Sequence, residues 1–116
     1  MKLKVLTLIA ALISLPVAGS AHTPLIATVP QSGEVLTESP PEIVLTFAEP
    51  VRLTSLVSKH ANGQKRLKFL PTGESDSFTA ASPDLPAGRN ELRWKALSPD
   101  GHVVEGVIIV NIRKAP

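Results

Sequence analysis

From residue 22 onward, apolar and polar positions alternate in short runs broken by proline and glycine. Glu42 to Phe47 sets the pattern, with Ile43, Leu45 and Phe47 on one side and Glu42, Val44 and Thr46 on the other. A period of two is that of a strand with one buried face. Asn90 to Leu97 repeats it, with Leu92, Trp94 and Ala96 inward and Glu91, Arg93 and Lys95 outward. Trp94 is the expected core plug. Thr23 to Val29 reads as a first strand, stopped by Pro30-Gln31-Ser32-Gly33. Leu53 to Lys59 and Gln64 to Leu70 flank Asn62-Gly63, a two-residue hairpin signal. Asp76 to Ala80 is a weaker strand ahead of a turn from Pro83 to Gly88, and Val103 to Ile112 is apolar enough to predict a central strand. About seven short strands, with no amphipathic helix between them, predict an all-β antiparallel β-sandwich.

The segment before residue 22 follows a different rule. Lys2 and Lys4 precede an almost wholly apolar run from Val5 to Val17, and small residues follow at Ala18-Gly19-Ser20-Ala21. These are the three parts of a secretory signal. The run is too short for a membrane span of about 20 residues. The chain therefore divides into a signal peptide, residues 1–21, and one domain, residues 22–116. Cleavage after Ala21 suits a site ending in alanine; cleavage after Ser20 is the alternative.

Removal of the signal changes the charge. Lys2 and Lys4 leave and no acid does, so the twelve basic residues of the whole chain become ten, equal to its ten acids. A neutral domain lacks the basic surplus that a nucleic-acid partner calls for. The chain has no cysteine, and its one methionine is Met1. The exported domain thus depends on its core rather than on disulfides, and offers a metal no sulfur ligand.

Nitrogen and oxygen ligands are present. Cleavage after Ala21 makes His22 the first residue, where its α-amine and Nδ1 can close a chelate ring on one ion. Such an amine has a pKa of roughly 7.7–8.0, so a metal displaces only a weakly held proton at neutral pH. Asp100-Gly101-His102 adds a carboxylate and a second imidazole, with Gly101 free to bend the backbone between them. Taken alone, that tripeptide is also an ordinary turn beside an exposed histidine. Together the groups form a nitrogen-rich set that suits tetragonal Cu(II), although zinc would accept a tetrahedral version. Glu49, directly after a core strand, is either a surface carboxylate or a hydrogen-bond acceptor steadying the amine. His60 is expected at a solvated hairpin tip.

These residues resemble the CopC family of periplasmic copper-resistance proteins. The resemblance spans nearly all of residues 22–112. Its marks are His22-Thr23-Pro24-Leu25, Val29-Pro30 with Gly33, Ile43 to Val51, Leu85-Pro86-Ala87-Gly88, Leu92 to His102 and Glu105-Gly106. It implies an Ig-like sandwich of Greek-key topology that binds Cu(II) through His22, Asp100 and His102, with Glu49 close by. It also implies a periplasmic location and a CopD-type inner-membrane partner. Some members carry a methionine-rich loop for Cu(I); the corresponding segment here, Ser58 to Leu70, has no methionine, which points to a Cu(II)-only member.

The leading expectation is a periplasmic Cu(II)-binding protein, serving sequestration, homeostasis or resistance, that keeps the ion or passes it to a membrane importer. Two other classes remain open on sequence: a metal-free Ig-like interaction module, and a copper-dependent oxidative enzyme with a histidine brace.

Overall fold

The computed structural model describes residues 24–115. They form seven strands: β1 Leu25–Val29, β2 Val35–Leu36, β3 Glu42–His60, β4 Gly63–Arg66, β5 Glu74–Ala81, β6 Gly88–Leu97 and β7 Val103–Ile112. The signal segment and His22 lie outside the described residues.

β3 organises the molecule. Its 19 residues were expected as two strands, Glu42 to Phe47 and Leu53 to Lys59, but the chain does not leave the sheet between them. The first part pairs antiparallel with β1 and β5, from Glu42↔Ala81 onward. The last part pairs antiparallel with β4 and β6, up to Lys59↔Glu91. Arg52 is the pivot, paired with Glu74 of β5 and with Leu97 of β6. The register with β5 slips between Thr46 and Val51, across Ala48-Glu49-Pro50, which are exposed. A second slip against β6, between Leu53 and Ser55, shifts the buried positions from Val51 and Leu53 to Leu56 and Ser58. Irregularities of this kind bend a strand and re-aim its side chains, so one strand serves both layers of the sandwich.

The inward positions read from sequence are the core. Ile43, Leu45, Leu92 and Ala96 are fully buried, and Phe47 and Trp94 nearly so. An edge-to-face aromatic series links the layers: Phe78 of β5 lies 5.9 Å from Phe47, and Phe47 lies 5.3 Å from Trp94 of β6. Each such pair adds about 0.5–1.5 kcal/mol beyond its burial.

Four local readings change. β7 is not central along its whole length. β6 flanks it on one side throughout, whereas β2 pairs only with Asn111 and Ile112, and does so in parallel, the one parallel pairing among the described strands. Ser32 and Gly33 bond to Ile109. From Val103 to Val107 no described strand covers the second edge, and both valines are exposed. The apolar run there conceals an alternation in which Ile108, Val110 and Ile112 point inward. The hairpin after β3 turns on Ala61-Asn62, and Gly63, at φ 142°, pairs with His60 as the first residue of β4. β4 is also shorter than expected, since Leu70 makes only an isolated bridge to Thr79. His60 is half-buried rather than solvated, because it is still the last residue of β3.

Candidate metal centre

The connection between β6 and β7 builds the site. Ser98-Pro99-Asp100-Gly101 closes a β-turn through Gly101 N donating to Ser98 O at 2.9 Å, and Ser98 N donates to His102 O at 2.9 Å. Proline as the second residue has its φ preset for this turn, and Gly101 supplies a φ of 89° that other residues adopt with strain. The turn places Asp100 and His102 side by side, as their spacing suggested.

The carboxylate is held from three directions. Asp100 Oδ1 accepts from the Ser98 hydroxyl and from His102 N at 3.3 Å, while Oδ2 lies 2.9 Å from His102 Nδ1. The Ser98 hydroxyl foremost, then the His102 ring and backbone N–H, lower the Asp100 pKa from 3.8 to about 2. Asp100 is therefore an anion across the physiological range. What these bonds add to stability is complete above the ordinary carboxylate pKa and is lost as pH falls through about 2. An NMR titration of the Asp100 carboxyl is expected to show a midpoint near 2 that moves up toward 3.8 in Ser98→Ala. An unmoved midpoint would show that the hydroxyl is not its main partner.

A cleft of about 490 Å³ adjoins the turn, lined by Pro24, Ala48, Glu49, Ser98, Pro99, Asp100 and Val104. Glu49 reaches it because β3 is exposed and irregular at Ala48–Pro50. Pro24 reaches it because its carbonyl accepts from Ala48 N at 2.7 Å. The start of the described chain is thus fastened beside Glu49 and Asp100, two residues after His22. Asp100 and His102 are paired at this end of the sandwich, and Glu49 shares a cleft with Asp100 but not with His102; His60 lies at the other end, where β3 and β4 meet. Among the described residues, no three histidines or carboxylates are placed to hold a metal ion.

Residues 25–112 match the family described as the CopC domain. The chain belongs to the CopC family. Among solved structures, CopC from Methylosinus trichosporium OB3b is 23% identical with a TM-score of 0.67, covering 82% of this chain and 97% of its own. PcoC from Escherichia coli, a methionine-rich copper resistance protein, is 25% identical with a TM-score of 0.58, covering 80% of this chain and all of its own. These likenesses establish the β-sandwich. No curated protein sequence matches the chain. As a member of the CopC copper-resistance family the chain is not an enzyme, which removes the oxidative-enzyme alternative. It differs from a methionine-rich relative in having no methionine after Met1.

Proposed function

We propose that this CopC protein is exported to the periplasm, begins at His22 after loss of residues 1–21, and holds one Cu(II) ion between its first residue and the Asp100–His102 turn. The observation that carries this reading is the fastening of Pro24 to Ala48, which brings the chain's start to the cleft that Asp100 and Glu49 line. The His22 amine and imidazole, the Asp100 carboxylate and the His102 imidazole form a set of hard and borderline donors that suits Cu(II). Asp100 Oδ2 lies 2.9 Å from Nδ1 of His102, so for both side chains to bind one ion this contact opens and the carboxylate turns from the ring to the metal. Glu49 accepts a hydrogen bond from the bound amine.

Copper is cargo here. No described helix is long and apolar enough to cross a membrane. Delivery to a CopD-type inner-membrane protein fits a small carrier with an exposed site. Because the donor set contains no sulfur, reduction to Cu(I) is expected to release the ion; retention of Cu(I) after ascorbate treatment and desalting would contradict this.

The test is the intact mass of the exported protein, free and after one equivalent of Cu(II). The expected result is a chain beginning at His22 that gains one copper, with the gain lost in His102→Ala. A correctly cut chain that takes no copper would overturn the reading.

A further inference from the structure

The second layer of the sandwich has an outer face unlike the first. Register places Arg66, Val57, Arg93 and Val107 in one row across β4, β3, β6 and β7, with Lys95 opposite Glu105 in the next. Lys59 and Arg89 extend the face toward the hairpin end. Five cations therefore share it with two acids, Glu91 and Glu105, in a domain whose charges balance as a whole. On the other layer, the paired outer positions between Glu42 and Thr46 carry no lysine or arginine. The segregation is a property of the fold, not of composition.

Two of the acids' contacts are already accounted for. Glu91 pairs with Arg93 at 2.9 Å and, more weakly, with Arg89 at 3.2 Å, which holds its carboxyl below the usual range. Among the described residues, Arg66 and Lys95 make no ion pair. Both line a cleft of about 460 Å³ together with Val57, Arg93, Glu105 and Val107. A second cleft of about 370 Å³, lined by Lys59, His60 and Arg89, shares Arg93 with it.

We infer that this face is a docking surface for an extended, acidic segment of a partner protein. The shape decides against a bilayer: Arg66, Arg93 and Lys95 stand around a recess that Val57 and Val107 also line, into which a flat lipid surface does not reach. An extended peptide can, and its alternate side chains, about 7 Å apart, would set carboxylates against Arg66 and Lys95 and apolar groups against Val57 and Val107. Guanidinium groups bind carboxylates through paired donors, which gives such a segment a register. The open edge of β7 from Val103 to Val107 borders the same cleft and offers unpaired backbone groups. Arg93 lies five residues along β6 from Ser98, roughly 17 Å, so a docked segment would hold its protein beside the metal turn. The inference does not depend on copper being bound.

The experiment titrates the ¹⁵N-labelled protein, at low salt, with a blocked peptide of about twelve residues repeating Glu-Ser-Val-Ser, which presents Glu and Val in turn on one face. Amide shifts are expected at Val57, Arg66, Arg93, Lys95 and Val107. Arg66→Glu/Lys95→Glu is expected to weaken binding about tenfold, whereas Arg113→Glu/Lys114→Glu, with the same net charge, leaves it unchanged. Lys95→Glu alone serves if the double variant loses spectral dispersion. Equal loss in both double variants, shifts scattered over the surface, or no binding at low salt would overturn the inference. So would binding to phosphatidylglycerol vesicles but not to the peptide, which would assign the face to a membrane.

Discussion

Gly106→Ala is expected to lower the stability of the sandwich by about 1–3 kcal/mol, the range for overfilling a packed core. Gly106 sits opposite Trp94 in the β6–β7 register, and the indole lies against its bare Cα. A Cβ there would come within 2.8 Å of three indole atoms, Cε2, Cζ2 and Nε1. The ring has little room to move, because Trp94 is 1% exposed and already packs edge-on against Phe47 at 5.3 Å. Each kcal/mol lost lowers the melting temperature by about 4–8 °C in a domain this size. Urea unfolding of Gly106→Ala, Trp94→Phe and the double variant checks the cause. A smaller ring should make the added methyl less costly, so the double variant should be more stable than the sum of the single effects implies. Among the described residues the buried indole N–H has no hydrogen-bond partner, so phenylalanine strands no acceptor there. An unchanged unfolding midpoint in Gly106→Ala would show that the two strands part easily.

Retention of Ala21 ahead of His22 is expected to weaken Cu(II) binding by more than about a hundredfold, beyond the loss typical of residues that only support a ligand. The extra residue turns the His22 amine into an amide and places the new amine away from the imidazole. The sandwich should be indifferent, since Pro24 still bonds to Ala48 and the core is untouched. The two forms should therefore melt alike without metal and differ only with it. Competition against a chelator of known affinity, at constant pH, measures the difference. Equal affinity would remove the terminal amine from the ligand set. Binding of both forms should weaken in mild acid, as protons compete for imidazole and amine nitrogens, while Asp100, with a pKa of about 2, stays ionised.

The fold was legible where a single physical preference acts. Ile43, Leu45, Phe47, Leu92, Trp94 and Ala96 recur at every second position, mostly between polar neighbours, and are all buried. Asp100 and His102 were legible as a pair because Pro99 and Gly101 specify the turn that joins them. The unbroken passage of β3 through Ala48-Glu49-Pro50 was not, because proline usually ends a strand and only an irregular, exposed stretch tolerates it. β2 was missed because two residues are too few to show a period. The basic face was hidden for a different reason. Arg66, Arg93 and Lys95 come from strands far apart in sequence, and only register brings them together.

The hairpin at Ala61-Asn62 and the turn at Ser98–His102 close opposite ends of the sandwich, since β3 and β6 pair from Lys59↔Glu91 at one end to Arg52↔Leu97 at the other. The chain has no thiol of its own. A lone cysteine replacing the exposed Asn62 would accept a dye without blocking, and a paramagnetic Cu(II) ion at the far turn would shorten that dye's excited-state lifetime only over short distances. The separation of the two ends thus lets such a dye register a partner drawn against the hairpin without interference from metal loaded at the turn.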